Sequence, residues 1–436
     1  MNNRIAFVRS RFLPTFKSVL ICGLVILTLF QVGQLWFVNF TNRNFFLYVQ
    51  ARFAPSPPDW QQVFIRPYRI IYGAGDGRFN MQHSGIGDSP LWAYGESVLA
   101  AVLRNGDFAG VRNINTEQLL SRPAIIYKYA FNMQTNIFSQ ILGQRRGGAL
   151  SGHNLNSFNS IIIQPPTYDN QNLHVFFLDN TRAWEFRLSP TRGRDSADSF
   201  IREIATVSNN QIYFRSVSSY SLGFAPFAPY GMGYFLYPIV TVTNPYQNPS
   251  GGLTMVFIRS RIEPFFDNPA TINHGTGTIY TFSNANTIVR YLEGNVLEYR
   301  SFRPIGRTTP ASFIADFSAA WTFIDNDLEV RNEVFLSHYE TRGREHVFLF
   351  NYVIGNFPLV LTEPHLTMAD CTDPLQAAIE VVVDHGRVIR YRRLAYNFHL
   401  GTEFGSLDFS TINAETPIVL GFPIQTTGNT LSLEPV

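Results

Sequence analysis

Cysteine is almost absent: the 436 residues include two, Cys22 and Cys371. Cys22 falls inside an apolar run and Cys371 far outside it, which excludes an intramolecular disulfide framework. Charge is sparse too. Asp, Glu, Lys and Arg make up 15% of the chain, the net charge is +2, and no basic tract or acidic tail is present. That balance argues against nucleic acid and strongly charged substrates as partners. Catalytic signatures are missing. There is no G-x-S-x-G elbow and no H-E-x-x-H zinc pair. Gly73-Ala74-Gly75-Asp76-Gly77 follows an expected strand, but the next helix starts eleven residues later at Asp88, so the run reads as a turn and not as a phosphate cradle. Cys371, with Asp370, Asp373 and His365 near it, reads as part of a polar loop, and His338 and His346 as hairpin neighbours without a ligand set. No catalytic, metal or cofactor residue is assigned, and no cofactor is expected.

What the chain does have is a run of twenty uncharged residues, 19–38, of which thirteen are Leu, Ile, Val or Phe. Such a helix spans about 30 Å. Its apolar side chains favour insertion into a bilayer by about 4–8 kcal/mol. Arg4, Arg9, Arg11 and Lys17 precede it, whereas Arg43 and Arg52 follow, so the positive-inside rule places the N-terminus in the cytoplasm. A cleaved signal is the competing reading. The length of the run and the end Gln34-Leu35-Trp36-Phe37-Val38, which has no small-x-small site, oppose it. Ile21 before Cys22 opposes a lipoprotein signal. Thr28, Gln31 and Gln34 are polar positions in this segment. They are candidates for hydrogen bonds to a partner's membrane helices, each contributing about 0.6–2 kcal/mol.

Hydrophobic residues make up 45% of the chain, enough for a sizeable core, and 39 Phe with 20 Tyr favour strands. The expected organisation is a cytoplasmic tail (1–17), a membrane helix (18–38), a Pro-rich linker (39–58) and three exterior α+β domains at 59–188, 189–305 and 306–436. In the first domain, 63–72 reads as a strand, and Asp88-Ser89-Pro90 starts a helix reaching Arg104. A short helix follows at 116–121, then strands at 124–131, 160–163 and 173–178. The second domain reads as an amphipathic helix at 196–207, then strands at 212–217, 234–242, 253–258 and 278–282. It closes with a hairpin, 288–292 and 296–302. The third repeats that order: a helix from Thr309 to Phe323, strands at 328–339, 346–354 and 357–361, and a closing hairpin, 378–383 and 388–394. A last strand is expected at 417–422.

The two closing hairpins share a pattern. Gly294, Val296, Tyr299 and Arg300 match Gly386, Val388, Tyr391 and Arg392 as Gly-x-Val-x-x-Tyr-Arg, 92 residues apart. On a regular strand the Val and the Tyr, three apart, face opposite sides. The expected fold is therefore α+β: an N-terminal domain, then two related units, each a helix on an antiparallel sheet.

The stretch from Leu27 to Phe37, followed by Arg43-Asn44-Phe45-Phe46, resembles the anchor region of the YycH (WalH) family. The segments Ala378-Ile379-Glu380-Val381-Val382-Val383 and Arg390-Tyr391-Arg392-Arg393-Leu394 resemble that family's closing hairpin. The resemblance implies a single-pass, extracytoplasmic, non-enzymatic accessory protein of Gram-positive bacteria. Its implied partners are the sensor histidine kinase of the WalK/WalR (YycG/YycF) system, which governs cell-wall metabolism, and a YycI-like second accessory protein, with homo- or hetero-dimers in view. This chain departs from the family at 144–159 and 224–252. Two other functions compete: a receptor for a cell-wall or lipid fragment, and a cell-wall hydrolase with a carboxylate pair.

Overall fold

The computed structural model describes residues 60–73, 78–113, 119, 121–142, 150, 152–166, 172–179, 182–189, 213–216, 227–230, 234–248, 250–274, 280–292, 295–302, 312–361, 375–408, 420–424, 430–431 and 434–435. The chain divides into two compact units after Pro57, and all described residues belong to the second. The apolar run 19–38 lies outside them, as do the expected helices 196–207 and most of 116–121. Among the described residues no helix is long and apolar enough to cross a membrane.

The fold is mixed, with antiparallel sheets and few helices. The first sheet has nine strands. In chain order they are β1 (Arg69–Gly73), β2 (Arg78–Gln82), β3 (Asp107–Asn113), β4 (Ala124–Gln134), β5 (Ser157–Gln164), β6 (Leu173–Leu178), β7 (Arg182–Leu188), β8 (Tyr213–Ser216) and β9 (Phe227–Tyr230); in space they run β3-β7-β6-β5-β4-β1-β2-β8-β9. Residues in β5 and β6 are buried on both faces, so their apolar runs are continuous and do not alternate.

Three helices accompany this sheet: α1 (Trp60–Ile65), α2 (Pro90–Asn105) and α3 (Thr135–Ile141). Ser89 precedes α2 and Pro90 sits in its first turn, where a missing N–H costs nothing. Gly95 of α2 is needed for close approach: a Cβ there would lie 2.2 Å from the hydroxyl of Tyr127, which donates to the Leu91 carbonyl at 2.7 Å. Residues 63–65 are helical, not extended as expected. Phe64, in α1, packs against Phe313 and Phe317 with ring centroids 5.4 and 4.9 Å away, so a tertiary contact decides the local conformation.

A second sheet joins β11 (Asn273–His274), β12 (Tyr280–Ser283), β13 (Thr287–Leu292), β14 (Val296–Ser301), β15 (Glu333–Arg342), β16 (Glu345–Ile354), β17 (Phe357–Leu361), β18 (Ile379–Asp384), β19 (Arg387–Leu394), β21 (Leu420–Ile424) and β23 (Glu434–Pro435). β14 pairs directly with β19, so the two hairpins share one sheet. A third, small sheet has the order β20 (Asn397–Asp408), β10 (Tyr234–Thr243), β22 (Thr430–Leu431).

Two more helices complete the described part: α4 (Met255–Ile262) and α5 (Phe313–Asp325). The helix α4 replaces the strand expected at 253–258. Thr254 caps it, its hydroxyl accepting from the Phe257 N–H at 3.3 Å. α5 begins after Ser312, not at Thr309, which lies outside the described residues.

Candidate functional site

The two hairpins turn through residues with left-handed backbone: Asn295 at φ 62°, His385 at 51° and Gly386 at 74°. Such φ values match the twist of the flanking strands in short hairpin loops. Asp316, buried in the first turn of α5, accepts from the Gly386 N–H and stands 2.5 Å from His346 Nδ1. The helix is thereby tied to the second hairpin's turn.

Across the β14–β19 seam the partners are Val296 with Leu394, Glu298 with Arg392, Tyr299 with Tyr391 and Arg300 with Arg390. The repeated tyrosines therefore meet at a local two-fold. The copies differ in one respect. β14 is regular, whereas β19 shifts register between Val382/Val383, so that Val388 faces Val383 while Arg390 faces Val382. This bulge at Ile389 carries Val388 to the side of Tyr391, where a regular strand would separate them. Ile389 packs instead with Val347, Leu349 and Val382.

On the helix side, both tyrosines rest on Phe323 (4.9 and 5.1 Å) and on Phe265 (6.0 and 6.1 Å). Beside them lies a buried ion network. Arg393 donates to Asp327 Oδ2 at 2.9 Å and to the Tyr246 hydroxyl at 2.9 Å, and the Tyr391 hydroxyl donates to the same Asp327 oxygen at 2.8 Å. Burial alone would lower the Arg393 pKa, but Asp327 and the three neighbouring tyrosines outweigh it and hold the value well above its ordinary level. Burial, then the Asp327 charge, pushes the Tyr391 hydroxyl far up, so it stays a donor.

On the opposite side the seam carries charge. Glu298 is 2.7 Å from Arg300, 3.4 Å from Arg390 and 3.9 Å from Arg290. Glu380 is 2.6 Å from Arg392 and 4.0 Å from Arg390. Arg390 thus bridges the carboxylates of the two hairpins. Arg290 and Arg300 are about two-fifths exposed. Both carboxylates are buried, Glu380 beside the buried Arg392 and Glu298 beneath the more exposed Arg290 and Arg300.

A ribbon leaves this body. β10 and β20 pair from Thr243↔Asn397 out to Tyr234↔Asp408. β20 is the edge strand of the small sheet among the described residues. Its base is sealed: Asn332 accepts from the Phe398 N–H at 3.1 Å and donates to the Phe398 carbonyl at 2.8 Å. Beyond that clamp, Leu400 is 51% and Phe404 65% exposed. A long edge with exposed apolar side chains is a surface that pairs with other chains.

Of the residues singled out from sequence, Thr28, Gln31, Gln34 and Gly294 lie outside the described residues, as do His365, Asp370, Cys371 and Asp373. Val296, Tyr299, Arg300, Gly386, Val388, Tyr391 and Arg392 are gathered around one seam. His338 and His346 are not brought together. His338 faces Leu349 across the β15–β16 hairpin, while His346 turns to Asp316. Among the described residues no group of three or more His, Cys, Asp or Glu could hold a metal ion. The Asp327–Arg393 pair, Asn332 and the whole of β20 escaped the sequence reading. The one signal available for the first was the second Arg of Arg392-Arg393.

No family model matches the chain, and no curated protein matches it. Among solved structures, the crystal structure of YycH from Bacillus subtilis is similar: 10% identity and a TM-score of 0.49, over 87% of this chain and 94% of that one. A likeness at that level assigns no function.

Proposed function

We propose that this protein is a membrane-anchored accessory regulator that acts by contact on the sensor histidine kinase of a cell-wall-controlling two-component system. In this reading residues 18–38 cross the membrane, with the N-terminus in the cytoplasm and the domains 59–188, 189–305 and 306–436 outside. The observation that supports a contact function is β20, the edge strand of its sheet among the described residues, with Leu400 and Phe404 exposed beyond Asn332. An extended segment of the kinase's exterior part would add to that edge as a further strand, with main-chain hydrogen bonds giving affinity. The choice of a kinase, and of a YycI-like second accessory protein beside it, rests on the sequence resemblance at 27–46 and 378–394. Such a regulator shifts the kinase only by its difference in affinity for the two signalling states. In the membrane, Thr28, Gln31 and Gln34 would contribute hydrogen bonds to the kinase's helices.

The test is co-purification of the full chain with the kinase from membranes, together with output from the regulated genes. Replacement of Gln31 and Gln34 by Leu is expected to weaken recovery of the kinase several-fold. Undiminished recovery and unchanged output would refute the membrane contact.

A further inference from the structure

A cleft of about 580 Å³ opens between α1, the turn at Gly85–Asp88, the start of α2 and the first residue of β15. Arg66, Asp88, Glu96 and Glu333 line it. A second hollow of about 430 Å³ shares Ala93 and Glu96 with it and runs on along α2 past Ala100 to Ile141 and Leu142. The two adjoin at these shared residues: the first is charged, and the second mixes polar Glu96 and Ser97 with apolar Ala100, Ile141 and Leu142.

The charged end is unbalanced in two ways. Three carboxylates face one guanidinium, so the site attracts a cation. Two of the three are already engaged by neutral donors: Glu96 accepts from Gln62 at 2.7 Å, and Glu333 from the Gly85 N–H at 2.8 Å. Arg66, for its part, lacks a close anion. Its nearest carboxylate oxygen, on Glu333, is 4.0 Å away, and its Nε is buried without a hydrogen-bond partner. Burial lowers the Arg66 pKa further than Glu333 and Asp88 raise it, the mark of a guanidinium short of negative charge. Gly87 leaves room for it: a Cβ there would lie 2.6 Å from the guanidinium Nη2, so a larger residue would make the Arg66 side chain shift.

We propose that this groove binds a short zwitterionic peptide. The carboxylate of the peptide lies on Arg66, its ammonium on Asp88 and Glu96, and its side chains over Ala100, Ile141 and Leu142. A fork of guanidinium donors matches a carboxylate in a way no single amide does. A zwitterion answers both the guanidinium whose nearest carboxylate oxygen is 4.0 Å away and the excess of carboxylates. The proposal is independent of the β20 contact: neither residue set touches the other's test.

Calorimetry on the full chain tests it with L-alanyl-L-alanine and D-alanyl-D-alanine, each also as the C-terminal amide and the N-acetyl form. The free dipeptides are expected to bind saturably at one site, and each blocked form at least tenfold more weakly. Preference for the D,D peptide would identify cell-wall stem peptides as the source, and preference for the L,L peptide ordinary protein fragments. Arg66→Gln should abolish discrimination against the amide. Glu96→Gln, a milder change, should erode discrimination against the N-acetyl form while leaving the thermal midpoint in place. Absence of binding by both free dipeptides, or equal binding of free and blocked forms, overturns the proposal.

Discussion

Tyr299 and Tyr391 are direct partners across the β14–β19 seam, and one ring, Phe323 at the end of α5, supports both. The two copies of the sequence pattern therefore share their aromatic support, with Phe323 the nearer ring and Phe265 behind it. Phe323→Ala is expected to destabilise the protein by about 2–3 kcal/mol, below the range for a fully buried phenylalanine because this ring is partly exposed. Urea unfolding with an unchanged m value measures it. A loss under about 0.5 kcal/mol would mean that the seam holds without the ring.

Asp327 accepts from both Tyr391 and Arg393 in the fully buried network. Asp327→Ala leaves the Arg393 charge unpaired, at a cost of about 3–5 kcal/mol. Adding Arg393→Met should recover part of that loss, because the stranded charge goes with it. A double variant as unstable as the sum of the singles contradicts the pairing.

Lys128 donates to Ser160 at 3.0 Å, and burial, with Arg69 adding to it, lowers its pKa to about 7 from 10.5. Between those values the unfolded chain binds the extra proton, so stability rises with pH across that window. Lys128→Met is expected to flatten the rise, with its largest stabilisation near pH 7 and a shrinking advantage toward pH 10. Thermal midpoints measured at half-unit steps give the profile, and parallel profiles for the two proteins would refute it.

Gly95→Ala puts a methyl group 2.2 Å from the Tyr127 hydroxyl. Overpacking of this kind costs about 1–3 kcal/mol. Tyr127→Phe on top of it should relieve some of the strain, and its failure to do so in thermal unfolding would place the conflict elsewhere.

Leu400→Glu with Phe404→Glu tests the ribbon edge. Both side chains face solvent, so stability should change by no more than about 0.5 kcal/mol. If β20 makes the proposed contact, capture of the proposed kinase partner falls at least tenfold. Capture that persists would remove β20 from the contact.

Local signals in the sequence carried α2, with its Ser89-Pro90 start, and the two hairpins with their special turn residues. They failed where a distant contact decides. Residues 63–65 are apolar and read as extended, yet Phe64 reaches Phe317 and the backbone coils. The run at 253–258 is equally apolar, but the Thr254 cap turns it into α4. β20 contains Gly401 and Gly405, which break a strand pattern. Gly405 leaves room for the Tyr237 ring, which would lie 2.6 Å from a Cβ there and which comes from a strand 168 residues earlier. The candidate surfaces were the least legible. The seam's charge lattice and the α2 groove both depend on which strands become neighbours, and no spacing within one segment encodes that.

The shared seam also sets a timetable for synthesis. β14 is made 92 residues before its neighbour β19. At about 5–20 residues per second, its outer edge waits on the order of 5–20 s for a partner. During that interval the first hairpin of one chain is the natural mate for the same hairpin of another, so the yield of folded protein depends on how crowded nascent chains are and not only on the stability of the finished fold.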